Sequence, residues 1–386
     1  MAFDSPQLTA ISTPHFMEVG TPHTWRYLVL TGQKQGLDAI VKPLLPTTNL
    51  SWFPFIIAYA QIYNFVGIPL FADDVPCAPL LRLSLEKLVN HDEAEVQRFF
   101  SACKELGFFY LDLRGSPILA EADELFGIGE QLFELDLDEK RRYDFSKQNS
   151  YFGYKEKGVA IVDNQGNADR NEFYNVSKDD IFGISDPLPA PDILNKSRPH
   201  FKSFIANAHS IVTMVLNLLN EQLRLPPSTL ANLHGQHTDF GSVTVLFNRV
   251  GGLQILPPGQ DADWCYVRPL PGHAIINLGD AMVKFTNGLL RSNIHRVVSP
   301  PGAQAETTRY SLVYFSRPED DVILKRLEGS DCILPFAPGR EPEEEIKSKD
   351  WIIRRALGHR VALHGKIDFD KSLGTEMMSR RLQFSM

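Results

Sequence analysis

The chain has 386 residues, with 39 Lys and Arg against 47 Asp and Glu, a formal charge of −8. That balance advertises no broad basic surface for nucleic acid. An apolar share of 43% with 22% charged residues excludes wholesale disorder, and a chain this long folds around its own core without disulfides or structural metal. Its four cysteines, Cys77, Cys103, Cys265 and Cys332, form no C-x-x-C pair, which suits a reducing compartment better than a disulfide framework or a zinc knuckle. The opening MAFDSPQLTA lacks the basic and apolar regions of a secretory signal, so a cytoplasmic location is expected.

In chain order, the first unusual feature is residues 43–72, which carry no charge over 30 positions. Pro43, Pro46, Pro54 and Pro69 interrupt the run, and its longest proline-free part, 55–68, has 14 residues. A bilayer needs about 20, so no membrane span is expected. The run reads as a docked hydrophobic segment or as an extension foreign to the fold. Residues 83–106 predict one helix with Val96, Phe99, Phe100 and Cys103 at helical spacing, stopped by Gly107. FFYLDLRG predicts a strand and turn, and 118–142 a second, charge-rich helix. Residues 149–185 are rich in Gly, Asn and Asp and read as loop. The strongest helix signal runs over 201–225, ended by Pro226 and Pro227.

From His237 onward the period becomes strand-like. SVTVLFN, GGLQILP, WCYVRPL, HAIINLG, SNIHRVVS and TRYSLVYFSR are separated by Gly, Pro and Asp turns, the spacing of an antiparallel sandwich or barrel. The EPEEE run at 341–345 reads as a solvated loop and 348–359 as a closing helix.

The chemistry-bearing residues sit among these strands. His237 and Asp239 are i and i+2, so on a strand their side chains share a face. His295 follows 58 positions later, in a separate strand. Two imidazoles and one carboxylate on one face suit a non-haem Fe(II) ion whose other positions stay open. Arg309 and Ser311 are again i and i+2. A guanidinium on an apolar strand is costly unless an anion meets it, and its planar fork matches a carboxylate. That pair predicts a carboxylate co-substrate. Taken alone, each has a plainer reading: His295 as a core histidine, Arg309 as a strand-end salt bridge, and nearby His234 as a loop residue.

Together, CKELGFFYLDLRG, HTDFGSVTVLF, GGLQIL, INLGD, TNGLLRSNIHRVVSPPG and RYSLVYFSRPED resemble the 2-oxoglutarate/iron(II) dioxygenases of the isopenicillin N synthase-like type, in particular their fungal members. The resemblance covers roughly 76 to 365. It implies an α+β fold, mainly β with helices, in which a double-stranded β-helix (jelly roll) packs against N-terminal helices. It further implies that His237, Asp239 and His295 ligate Fe(II) and that Arg309 and Ser311 hold the distal carboxylate of 2-oxoglutarate. Dioxygen is the oxidant, and 2-oxoglutarate leaves as succinate and carbon dioxide. The implied reaction is hydroxylation, desaturation or ring rearrangement of a small organic molecule, by analogy one of secondary metabolism. Nucleic acid and membrane are not expected partners, and the sequence leaves oligomeric state open. An isopenicillin N synthase-like oxidase working without 2-oxoglutarate, and a catalytically inactive jelly-roll binding protein, remain as alternatives.

The expected division is an atypical N-terminal extension at 1–75, a helical dioxygenase region at 76–227, the jelly-roll core at 228–335 and a C-terminal helical segment at 336–386. Two departures from the family stand out. Relatives carry a strand, commonly with an Arg and a Tyr-Pro, between the long helix and H-x-D. Here only STLANLHGQ separates Pro227 from His237, too little for a helix end, a turn and a full strand. The shortfall suggests a deletion or a misassigned splice site, and predicts unpaired backbone groups on the neighbouring strands. Residues 19–72 have no counterpart in the family and read as a retained intron or an N-terminal elaboration.

Overall fold

A computed structural model describes residues 25–31, 65, 67–161, 166–234, 241–259, 262–336 and 344–357. Its centre is a sandwich of two sheets with helices on the outer face of the larger one. Strands are β1 (Trp25–Thr31), β2 (Arg82–Ser84), β3 (Phe108–Asp112), β4 (Gly153–Lys155), β5 (Asn171–Ser177), β6 (Val243–Asn248), β7 (Leu253–Ile255), β8 (Cys265–Tyr266), β9 (His273–Leu278), β10 (His295–Val297) and β11 (Tyr310–Ser316), with β12 (Ile323–Leu324) and β13 (Ile346–Lys347) paired apart. The large sheet runs β2-β3-β9-β6-β11-β1-β5-β4 and the small one β10-β7-β8.

The alternation of side chains along these strands builds two cores. On β11, Leu312 and Tyr314 join the cluster under the helices, whereas Val313 joins the cluster between the sheets. That inner cluster takes Phe108, Tyr110, Leu246 and Ile275 from the large sheet and Leu253 and Ile255 from the small one. With both faces covered, β6 is buried at every position, as expected of a strand packed on both sides. The helix-side cluster rests on Arg198–Gln222, a 25-residue helix whose Phe204, Ile211, Val215 and Leu219 are buried. Phe204 meets Phe247 of β6 edge-on, with centroids 5.7 Å apart. Each such aromatic contributes about 1.5–3 kcal/mol through burial, so this helix fixes the sheet's outer face.

Several elements differ from the sequence expectation. The helix expected over 83–106 begins as strand β2 and then divides into Leu85–Val89 and Glu93–Glu105. The division is local: His91 adopts φ 52°, and Asp92 caps the second helix by accepting from the Glu95 amide at 2.9 Å. The helix expected over 118–142 likewise divides into Ile118–Glu134 and Leu137–Arg141.

The stretch 149–185, expected as loop, holds β4, β5 and the short helix Lys178–Phe182. Its strands are polar because their buried charges satisfy one another. Lys155 pairs with Asp169, and Glu172 takes Lys140 at 3.1 Å, the Tyr154 hydroxyl at 2.6 Å and Arg26 at 2.8 Å.

The largest difference concerns β1. It lies within the segment expected to be foreign to the fold, yet it runs in the middle of the large sheet. It is parallel to both neighbours, with Tyr27 opposite Ser311 of β11 and opposite Phe173 of β5. STLANLHGQ, too short for a helix end, a turn and a full strand together, supplies the helix Thr229–His234. The unpaired backbone expected there does not arise on β5 and β11, because β1 lies between them.

Most of the uncharged run lies outside the described residues. Its end is docked: Gln304 Nε2 donates to the Pro69 carbonyl at 2.8 Å, and the Phe71 and Tyr266 rings meet edge-on at 6.1 Å. Among the described residues, no helix is long and apolar enough to cross a membrane.

Candidate active site

The expected metal ligands divide between described and undescribed residues. His237 and Asp239 lie in 235–240, outside the described residues. Among the described residues, no three His, Cys, Asp or Glu side chains come together as a metal site. The flanks of 235–240 are fixed, however. His234 closes the helix before the gap and Ser242 precedes β6, and the two side chains bond directly, Nε2 to Oγ at 2.5 Å. His234 Nδ1 lies 2.6 Å from the Leu230 carbonyl. With Nδ1–H donating, Nε2 is left to accept the serine hydroxyl. Burial lowers this imidazole to a pKa of about 4, against the raising effect of the Leu230 carbonyl. His234, expected as a loop residue, is therefore a buried neutral clamp across the ends of the H-x-D segment.

His295 opens β10, paired with Ile255 of β7, and its side chain is exposed. Nδ1 lies 3.0 Å from the Asn293 carbonyl, and the ring meets Phe108 edge-on at 5.5 Å. The backbone bond fixes Nδ1 as the protonated nitrogen and leaves the Nε2 lone pair for a metal, as in most ligating histidines. The next residue anchors the strand: Arg296 Nε donates to Gln254 Oε1 at 2.8 Å, and its guanidinium lies 4.1 Å from the Trp264 ring centre. Arg296 was not singled out in the sequence; a long cationic side chain facing an aromatic about 30 positions earlier in the chain leaves no local periodic signal.

Arg309 and Ser311 come together as expected. Arg309 is 1% exposed and Ser311 2%. Arg309 Nε donates to the Gly251 carbonyl at 2.8 Å, and Nη1 donates to Ser311 Oγ at 2.6 Å. No carboxylate pairs with this guanidinium among the described residues. Burial pulls its pKa below the ordinary arginine value, partly opposed by Tyr27. A buried guanidinium held by neutral acceptors is an anion site in waiting.

Gly252 explains the GGLQIL motif physically. Its φ is +101°, and a Cβ would lie 2.4 Å from the Val298 carbonyl oxygen and 3.5 Å from Arg309 Cδ. The fit to the implied groups is therefore direct where it is described. Arg309 and Ser311 offer a carboxylate a planar donor fork beside a hydroxyl, and His295 offers iron a free imidazole nitrogen.

With this geometry in view, comparison with known proteins gives the class. The 2OG-Fe(II) oxygenase superfamily model matches residues 211–318, and the model described as non-haem dioxygenase in morphine synthesis N-terminal matches 78–194. A 2-oxoglutarate-dependent dioxygenase of Aspergillus fumigatus is 31% identical over 335 residues, covering 73% of this chain and 86% of the relative. The 2-oxoglutarate-dependent dioxygenase frbH of Dothideomycetidae sp. is 31% identical, covering 72% of this chain and 89% of the relative. A full-length Neurospora crassa protein, solved in complex with alpha-KG, shares the fold with a TM-score of 0.59 at 21% identity, covering 74% of this chain and 97% of that one. JOX2, solved with 2OG, Fe and JA, does so with a TM-score of 0.55 at 18% identity, covering 76% and 92%.

The chain belongs to the 2OG-Fe(II) oxygenase superfamily. It is an oxidoreductase of the isopenicillin N synthase-like type, an iron(II)- and 2-oxoglutarate-dependent dioxygenase with fungal relatives, and the jelly-roll expectation holds.

Proposed function

We propose that His237, Asp239 and His295 hold Fe(II) and that Arg309 with Ser311 binds the distal carboxylate of 2-oxoglutarate, in a cytoplasmic enzyme that oxidises a small organic intermediate of secondary metabolism. The observation that carries this reading is Arg309, buried without a carboxylate partner among the described residues and already hydrogen-bonded to Ser311. Bound iron supplies the oxygen chemistry; this chain's residues bind, orient and shield. Arg309 and Ser311 fix one end of the co-substrate. Asn293 fixes the His295 tautomer through its carbonyl. The apolar inner cluster around Phe108, Val313 and Ile275 keeps water from the inter-sheet space. The secondary-metabolic substrate class is supported by the fungal 2-oxoglutarate-dependent dioxygenases among the relatives, and the cytoplasmic setting by the four free cysteines.

Anaerobic equilibrium dialysis with Fe(II) tests the ligand set. The wild-type chain is expected to retain one iron. His237→Ala, Asp239→Ala and His295→Ala should each weaken retention at least tenfold. Undiminished binding in any of them would remove that residue from the triad.

A further inference from the structure

Strand β1 lies outside both family matches, which begin at residue 78, yet it touches the co-substrate pair directly. The Arg26 amide donates to the Arg309 carbonyl at 3.0 Å, so β1 pins the backbone of the buried arginine. Tyr27 faces Ser311 across the ladder and packs with the inter-sheet cluster. The Arg309 guanidinium carbon lies 5.6 Å from the centre of the Tyr27 ring, within cation–π range. On the opposite face, Arg26 is tied to Glu172 of β5 at 2.8 Å and to the Tyr310 hydroxyl at 2.7 Å. One strand thus has its polar end locked to the outer face and its aromatic ring set beside the anion-binding arginine.

We propose that Trp25–Thr31 is a working part of the co-substrate site, with Tyr27 a positioning residue that holds the Arg309 guanidinium in the plane required by the incoming carboxylate. Residues 25–31 are then required for 2-oxoglutarate binding. The physical reason is specific to this buried arginine. Arg309 has Gly251 and Ser311 on two of its nitrogens, bonds whose preference for linearity holds the guanidinium plane in part. An aromatic face adds to that restraint, because the attraction is strongest with the cation over the ring. The parallel register brings Tyr27 there: Arg26 pairs with Tyr310 and Tyr27 with Ser311, so a slip by one residue would turn the ring to the helix side.

The proposal rests on the 2-oxoglutarate reading of Arg309, and calorimetric titration of 2-oxoglutarate into the Fe(II)-loaded full chain without oxygen separates the two. Failure of the wild-type chain to bind 2-oxoglutarate overturns that reading and the inference with it. With wild-type binding established, Tyr27→Phe, which keeps the ring, is expected to bind within about threefold of wild type. Tyr27→Leu, apolar but without a ring, should bind about tenfold more weakly, within the range an aromatic–cation contact supplies, with iron retention unchanged. A strand that only completed the sheet would leave the leucine and phenylalanine variants alike, and equal affinities would overturn the inference alone. Should the leucine variant not fold, Tyr27→Val, favoured in strands, takes its place. Hydrogen exchange on the wild-type chain supplies a second check that needs no variant. Amides 26–31 are expected to be protected like those of β6 and β11, and exchange at the rate of an open segment would overturn the placement.

Discussion

Removing Arg26 and Glu172 singly and together measures how firmly β1 is docked. Glu172 is 7% exposed and Arg26 23%, and Glu172 is also held by Lys140 and the Tyr154 hydroxyl. Arg26→Met leaves the carboxylate with two partners, so the expected loss is about 1–2 kcal/mol. Glu172→Gln leaves two cations facing a neutral amide, and its expected loss is about 3 kcal/mol. With both changed, one cation, Lys140, faces the neutral amide instead of two. The double variant should then lose about 1–2 kcal/mol less than the sum, which is the coupling of contacting residues. Equilibrium denaturation of the four proteins measures this, and at about 2–4 °C per kcal/mol the changes are also visible thermally. An Arg26→Met variant as stable as wild type, with a strictly additive double, would refute the docking of β1 on β5. The pair also carries a pH signature. Burial pushes the Glu172 carboxyl up, but Tyr154, Lys140 and Arg26 outweigh it and hold the group below its ordinary value of 4.5. Its contribution is therefore complete above that value and is lost as pH falls through the lower folded-state value. Glu172→Gln should flatten that acid limb.

Three further outcomes are expected. Between pH 6.5 and about 4, the window between the ordinary and the folded pKa of His234, the protein should lose about 3 kcal/mol of stability as the buried neutral imidazole comes under pressure to charge; His234→Gln should lose less across this window, and equal slopes by chemical denaturation would refute the assignment. Gly252→Ala should destabilise by about 2 kcal/mol or more, because the φ of +101° and the Val298 carbonyl both oppose a Cβ; a variant melting like wild type would contradict this. Arg309→Lys keeps the charge but loses the fork, so 2-oxoglutarate affinity should fall at least tenfold by calorimetry, and affinity equal to wild type would show that the fork is not used.

The residues with local periodicity were the legible ones. The alternating strands from 243 to 316 and the long helix ending at Gln222 fall where their patterns place them, because each buries an apolar face and period alone reports that. Arg309 and Ser311 were legible because an arginine in an apolar strand is costly without an anion to meet it. Elements stabilised by distant partners were not legible. WRYLVLT alternates, but its partners are residues 171–177 and 310–314, and nothing within a short window announces a parallel pairing across about 280 positions. β4 and β5 were hidden for a different reason: Lys155, Asp169 and Glu172 are buried charges, which read as loop until their mutual pairing is seen. The short spacer before His237 reads in the sequence as a missing strand. The compensation comes from the other end of the chain, and only the pairing of β5 and β11 with β1 reveals it.

Anaerobic addition of Fe(II) and then 2-oxoglutarate to the full-length chain, followed by visible absorption, goes directly to the chemistry. The wild-type protein is expected to develop a metal-to-ligand charge-transfer band only when both are present. His295→Ala should show no band because iron is not retained, and Arg309→Met should require far more 2-oxoglutarate to reach it. Iron binding with no band at saturating 2-oxoglutarate would point to an oxidase that works without this co-substrate. No iron binding at all would contradict the enzyme reading and leave a jelly-roll binding protein.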